Sequence, residues 1–193
     1  MRRQLIVAGL IAGLLGGSMA ACDDGGQDDT AAARPGVTKQ PCPKAVDRAK
    51  GCVYLGFISD LTVGPRAAEA VAVTRAQQRF WERVNRDGGI GGYEVDAETY
   101  VRDNKDDVET HTRAYREIRG KVLALGQTMG SGTTAAIMAD LRADDVVAAP
   151  ASSTSGWGFE PGVVESGANY CVEAVNAVDH VRSQRRQRGD LGV

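Results

Sequence analysis

Between residues 52 and 182, short apolar runs alternate with longer segments in which apolar residues recur every three to four positions. The short runs predict strands at residues 52–58, 93–102, 121–125 and 146–149, and the periodic segments predict helices at 66–85, 106–119, 131–141 and 166–182. Strands separated by helices of this length need crossover connections, so the pattern predicts an α/β fold with a doubly wound, mainly parallel sheet. We expect its core to contain Phe57, Ile58, Val84, Val101, Leu123, Ala124, Val146 and Val147.

The loops that follow the carboxyl ends of such strands form the usual ligand crevice of an open α/β sheet. Two of these loops, at residues 126–134 and 150–157, are rich in glycine, serine and threonine. Glycine lets a ligand approach the backbone, and a helix N-terminus attracts a carboxylate, so Ser131 or a neighbouring threonine is a candidate ligand contact. The alternative is that Ser131, Thr133 and Thr134 are only capping and turn residues. Asp60 and Asp103 follow the first two strands, and we expect them to face the same crevice, where a ligand ammonium group would bind.

Catalytic and cofactor motifs are not evident. The loop at residues 126–134 lacks the lysine of a phosphate-binding loop, and the glycines at 88–92 follow a helix instead of a strand. His111 and His180 both fall in predicted helices, so we expect them at the surface or partly packed. We expect Trp157 and Phe159 to pack; for Trp157, which lies in a crevice loop, the alternative is that it covers an apolar side chain of a ligand. These observations predict a protein that is not an enzyme and that needs no cofactor or metal.

Composition excludes nucleic acid as a general partner. The 193 residues carry 23 lysines and arginines against 25 aspartates and glutamates, a formal net charge of −2. A phosphate backbone is normally held by a broad cationic surface, which this balance does not provide.

The N-terminus has the pattern of an export signal. Arg2 and Arg3 precede an apolar stretch too short to span a membrane, and Met19-Ala20-Ala21-Cys22 resembles a lipoprotein box. We therefore predict a lipoprotein signal peptide at residues 1–21, with Cys22 as the lipidated first residue of the mature chain; a plain secretory signal is the alternative. Residues 22–41 are polar and read as a flexible tether, so the folded part is expected in the extracytoplasmic cell envelope, lipid-anchored to the cytoplasmic membrane.

Three further cysteines remain in that oxidising compartment. Cys42 and Cys52 are close enough in sequence to close a short disulfide ring, which leaves Cys171 without a partner in this chain. A metal site is the alternative, but no Cys-x-x-Cys pair accompanies these cysteines and only His180 lies near one of them.

Several segments together resemble a known family. Residues 53–62 with Gly64 and Pro65, residues 84–92, residues 101–104 and the two hydroxyl-rich loops resemble the periplasmic solute-binding proteins of ABC transporters for branched-chain and related amino acids. The resemblance implies a type I periplasmic-binding-protein fold, of which residues 42–182 match the N-terminal ligand-binding lobe. It also implies that the ligand's carboxylate and amino groups are held by Ser131, Thr133, Gly130, Ser152, Ser153 and Thr154.

The same resemblance implies the partners. We expect a small amino acid or amide as ligand and, if a second lobe exists, an ABC transporter permease. The second lobe is expected to be missing here, with residues 183–193 forming a disordered or truncated tail. A non-transporting sensory module or a ligand-incompetent truncated fragment is the alternative to a transport receptor.

Overall fold

The computed structural model of the chain describes residues 34–187. The predicted signal peptide, Cys22 and the tether up to residue 33 lie outside the described residues, as do residues 188–193.

Five strands and four helices alternate along the described part of the chain. In chain order they are β1 (Val37–Thr38), β2 (Gly51–Ser59), α1 (Ala67–Arg86), β3 (Tyr93–Asp103), α2 (Val108–Ile118), β4 (Ala124–Thr128), α3 (Ser131–Ala143), β5 (Val147–Pro150), a 3₁₀ turn (Trp157–Phe159) and α4 (Tyr170–Gln187).

The sheet is mainly parallel, as predicted. Strand β2 pairs in parallel with β3 on one side and with β4 on the other, and β4 pairs in parallel with β5. Helix α1 packs on one face and helices α2 and α3 pack on the other. The chain therefore changes winding direction between β2 and β4, which confirms a doubly wound α/β lobe with its switch point between these two strands.

The described structure differs from the predicted boundaries most clearly in three segments. The third parallel strand begins at Ala124, because the turn after α2, with Gly120 at φ 75°, occupies the residues that the apolar run assigned to the strand. In the segment predicted to be a tether, Val37 and Thr38 pair antiparallel with Val53 and Cys52, so the ordered lobe begins before residue 42. In the segment predicted to be a disordered tail, residues 183–187 continue helix α4.

The core lies on both faces of the sheet. Phe57 packs with Val95 beneath α1, and Ile58 packs with Tyr115 and Ile137 beneath α2 and α3. Of the other predicted core residues, Val146 is buried and Val84, Val101, Leu123 and Ala124 are half-buried. Val147 is 42% exposed, against the prediction, because its neighbours Val146 and Ala148 take the inward positions of an edge strand.

The polypeptide before β2 is fastened in two ways. Cys42 and Cys52 form the predicted disulfide, and Cys171 is a free, exposed cysteine. The buried Glu94 carboxylate accepts hydrogen bonds from the backbone N–H groups of Val46 (2.9 Å) and Asp47 (2.7 Å).

Residues 34–187 contain no helix with the length and apolar character that crossing a membrane requires.

Candidate functional site

The carboxyl ends of the parallel strands meet at one edge of the sheet. The pairing of Ile58 with Thr128, and of Ser59 with Asp103, places the ends of β2, β3 and β4 side by side. Asp60 and Gly130, which follow β2 and β4, therefore leave the sheet as neighbours at the switch point. This is the position where open α/β sheets bind their ligands.

The first hydroxyl-rich loop forms the N-terminus of α3. Gly130 is the N-cap residue, with φ 87°, and within the described chain no side chain caps the first turn. Thr133 is buried, and its hydroxyl donates to the carbonyl oxygens of Met129 (2.5 Å) and Gly130 (3.1 Å), so its proton serves the loop itself. Ser131 is half-buried at the start of the helix. The positive end of the helix dipole and the first N–H groups are thus presented at the crevice, where they favour an anion.

The second hydroxyl-rich loop follows β5. The Ser152 side chain is buried, and its Oγ has no hydrogen-bond partner among the described residues. Trp157 is also buried and donates from Nε1 to the Ser152 carbonyl oxygen (2.8 Å), so the packing role predicted for Trp157 holds. Ser153 and Thr154 are half-buried, whereas Phe159 is 89% exposed, against the prediction that it packs.

The two aspartates at the strand ends have different environments. Asp103 is fully engaged: it accepts from the Leu61 N–H (2.9 Å), the Thr62 hydroxyl (2.5 Å) and the Lys105 N–H (3.0 Å). Partial burial works to raise the pKa of Asp103, but these hydrogen bonds outweigh it and lower the pKa below its ordinary value. Asp103 thus fixes the loop after β2 and is not free for a ligand.

Asp60 has the opposite character. It is 1% exposed, and its Oδ1 has no partner within the described part of the chain. Burial raises its pKa, an effect that the hydrogen bond from Asn104 opposes. A buried carboxylate oxygen without a partner is costly, and a cationic group on a ligand would relieve that cost.

A cluster of buried polar side chains lies beneath the crevice, and sequence reasoning missed it. His111, predicted at the surface or partly packed, is fully buried, with Nδ1 3.0 Å from Asn104 Nδ2 and Nε2 3.0 Å from Thr128 Oγ1. Burial lowers the pKa of His111 to about 4, so the ring is neutral at pH 7. The sequence did carry a signal: positions 111, 114, 115 and 118 form the inward face of α2 at helical spacing.

A second part of this cluster joins β4 to α1. Gln127 donates from Nε2 to Ser59 Oγ (2.7 Å) and to Thr74 Oγ1 (3.1 Å), and all three residues are buried. The buried polar groups therefore link the carboxyl ends of β2 and β4 beneath the crevice. The hydrogen bonds of Gln127 lie on the α1 side of the sheet, and those of His111 lie on the α2 side.

The described residues offer positions for a small ligand with charged ends. Residues 34–187 contain no group of three or more histidine, cysteine, aspartate or glutamate side chains arranged to hold a metal ion. An anion-favouring helix end after β4 and a buried carboxylate after β2, at the same edge of the sheet, are the complement of a molecule that carries a carboxylate and a cationic group. The fold is therefore a doubly wound α/β lobe, and this edge of its sheet is the candidate ligand site.

Comparison with known proteins gives this lobe a family. A family model described as periplasmic binding protein matches residues 53–189, so the chain belongs to that family. Its solved neighbours include substrate-binding proteins of ABC transporters, which are named for a fatty acid or for branched-chain amino acids. No curated protein matches the chain by sequence.

Three solved structures illustrate the similarity. The fatty acid ABC transporter substrate-binding protein from Thermomonospora curvata is 27% identical, with a TM-score of 0.65, over 77% of this chain and 36% of that one. The branched-chain amino acid transporter substrate-binding protein from Streptococcus pneumoniae in complex with isoleucine is 23% identical, with a TM-score of 0.53, over 61% and 34%. A branched-chain amino acid ABC transporter protein from Thermus thermophilus with bound valine is 14% identical, with a TM-score of 0.61, over 70% and 36%. The matched region thus spans about a third of these solved proteins, and the expected single lobe of a type I periplasmic-binding-protein fold is confirmed.

Proposed function

We propose that this chain is a ligand-binding lobe of an extracytoplasmic ABC transport receptor that takes branched-chain or related amino acids. The observation that carries the proposal is the adjacency, at the switch point, of the uncapped α3 N-terminus and the buried, unpartnered Asp60 carboxylate. The helix end suits the ligand's carboxylate and Asp60 suits its ammonium group. Ser131, Gly130, Thr133, Ser152, Ser153 and Thr154 form the surrounding contacts in this proposal.

The solved neighbours are consistent with a carboxylate as the shared feature. Isoleucine, valine and a fatty acid, named for three of them, all carry a carboxylate, whereas only the two amino acids carry an ammonium group. Asp60 is therefore the residue that separates an amino acid from a fatty acid as ligand.

The test is a ligand-detected NMR titration of the full chain with L-isoleucine, L-valine and octanoate. A two-lobed receptor with a micromolar Kd has about −8.2 kcal/mol of binding free energy, and half of its contacts leave about −4 kcal/mol, a millimolar Kd. We expect millimolar binding of the two amino acids and weaker binding of octanoate. Asp60→Asn should weaken L-isoleucine binding at least tenfold while leaving octanoate unaffected, and the exposed Asp87→Asn is the matched control. The amino acid assignment would be refuted if only octanoate bound, or if none of the three ligands bound at concentrations about 10 to 20 times a millimolar Kd.

The proposed location has its own test. If Cys22 carries lipid, the wild-type chain partitions with membranes and Cys22→Ala releases it into the soluble fraction, because two or more acyl chains are needed for durable anchoring. Unchanged membrane partition of Cys22→Ala, with processing insensitive to globomycin, would rule out the lipid anchor. Through this anchor the receptor would face outward beside its transporter permease.

A further inference from the structure

A chain of buried hydrogen bonds runs from the loop after β3 to the first turn of α3. Asn104 Nδ2 lies 3.0 Å from His111 Nδ1, His111 Nε2 lies 3.0 Å from Thr128 Oγ1, and Thr128 Oγ1 lies 3.0 Å from Thr134 Oγ1. All four residues are buried. This series of hydrogen bonds therefore runs beneath the crevice, from the end of β3 to helix α3, which binds the ligand's carboxylate in the proposed function.

The direction of these hydrogen bonds follows from Asn104. Its Oδ1 accepts from the Asp106 N–H (3.0 Å), so its Nδ2 is the atom that faces His111 and must donate to Nδ1. A neutral imidazole with Nδ1 as acceptor carries its proton on Nε2, and that proton goes to Thr128 Oγ1. Thr128 can then direct its own hydroxyl proton at Thr134.

Both ends of this series of hydrogen bonds reach groups that the proposed function uses. Hydrogen bonding from the Asn104 side chain lowers the pKa of the neighbouring Asp60 carboxyl, against the effect of burial. The backbone N–H of Asn104 donates to the Ser59 carbonyl oxygen (3.0 Å), and its Nδ2 lies 3.5 Å from the Met129 carbonyl oxygen. At the other end, Thr128 and Thr134 flank Gly130 and Ser131, and the Thr134 N–H donates to the Gly130 carbonyl oxygen (3.1 Å).

We propose that His111 is a positioning residue that holds Asp60, through Asn104, and the α3 N-terminus, through Thr128, in one hydrogen-bonded frame. The ring touches no ligand; it fixes the spacing between the two groups that bind the ligand's opposite charges. Its role in ligand binding rests on the proposed function, whereas its effect on the two ends of the crevice does not.

Two variants of His111 separate the two ends. In His111→Gln the side-chain amide replaces Nε2–H and keeps the bond to Thr128 but loses the acceptor for Asn104. In His111→Asn the amide oxygen replaces Nδ1 and keeps the bond to Asn104 but loses the donor to Thr128. Ile118→Val, a buried change on the same helix outside the network, is the matched control for lost stability.

The first readout needs no ligand. In ¹H–¹⁵N spectra of the full chain, His111→Asn should shift the amide signals of residues 131–134 and leave those of Asp60 and Leu61 in place. His111→Gln should do the reverse, and Ile118→Val should move neither group. Variants that shift both groups together, or neither, would show that His111 only fills space.

The second readout measures binding. His111→Asn should raise the Kd for L-isoleucine about five- to tenfold, the effect of losing one buried hydrogen bond, with no change in Ile118→Val. If wild-type chain binds no L-isoleucine, the proposed function fails while the amide signals still decide the role of His111. Should both variants fail to fold, the ¹⁵N shifts of wild-type His111 decide: a neutral ring protonated on Nε2 at pH 7 supports the frame, and protonation on Nδ1 overturns it.

Discussion

Acid should destabilise the folded lobe through the buried imidazole of His111. In the folded chain, burial lowers the pKa of His111 from 6.5 to about 4, so the unfolded chain takes up a proton at a higher pH than the folded chain does. The free energy of unfolding therefore falls as the pH drops from 6.5 towards 4. One pKa unit corresponds to about 1.4 kcal/mol, so the full loss is about 3 kcal/mol, of which about 2 kcal/mol is reached at pH 5.

The assay is urea denaturation of wild-type chain and His111→Gln at pH 7.5, 6.5, 5.5 and 5.0. The measured quantity is the difference in unfolding free energy between the two proteins at each pH. Asp103, Asp107 and Glu117 have lowered pKa values, so their protonation also destabilises the fold in acid, mainly below this window. Burial raises the pKa of Asp60, which has the opposite effect on stability. All four carboxyl groups are present in both proteins, so the comparison between the two proteins isolates His111.

The expected difference falls by about 2 kcal/mol between pH 7.5 and pH 5, because only the wild type has a buried imidazole to protonate. Parallel curves for the two proteins would mean that His111 is solvated or already charged in the folded state. That result would refute both the burial of the ring and the neutral tautomer on which the hydrogen-bonded frame depends.

Three further predictions concern the lobe's own stability, each measured by urea denaturation at pH 7.5. Reducing the Cys42–Cys52 disulfide, which closes a separation of 10 residues, should lower the unfolding free energy by about 2–3 kcal/mol, and an unchanged midpoint in reductant would contradict this. Gly36→Ala should lower the unfolding free energy by more than about 2 kcal/mol, because φ is 74° and the new Cβ would lie 2.1 Å from a backbone nitrogen. Gly167→Ala is the control and should be neutral, since its new Cβ would meet nothing within 4 Å. Equal effects of the two substitutions would be evidence against the close approach at Gly36. Glu94→Gln should cost about 1–3 kcal/mol, since an amide cannot accept two backbone N–H bonds with both of its ends, and a neutral result would mean that the carboxylate does not cap residues 46 and 47.

The sequence predicted the order and type of the regular elements well, because in a sheet covered by helices on both faces the strands are short apolar runs and each helix buries one recognisable face. Helix α3 begins at Ser131 and β3 begins at Tyr93, as the sequence pattern predicts. The antiparallel strand β1 was not predictable in the same way. Its two residues carry no periodicity, and it is fixed by tertiary contacts: the Tyr54 N–H donates to the Gly36 carbonyl oxygen.

The buried polar cluster beneath the crevice could not be predicted from the sequence pattern either. His111 lies at a buried helical position, but a pattern search treats histidine and threonine as polar and so assigns them to the surface. Polar residues at inward positions become visible only when the structure shows how each donor meets an acceptor.

The two aspartates at the strand ends show how far the sequence can predict the candidate site. Asp103 is the last residue of β3 and Asp60 directly follows the neighbouring strand β2, and nothing in their local sequence separates their roles. The fold does, because Leu61 and Thr62 turn back towards β3 and supply Asp103 with hydrogen bonds, while Asp60 is left buried with one oxygen unsatisfied. An unsatisfied buried oxygen destabilises the unliganded lobe, and a ligand ammonium that satisfies it gains that free energy on binding. The same carboxylate should therefore disfavour a ligand that lacks the ammonium group, which makes Asp60 a determinant of specificity as well as of affinity.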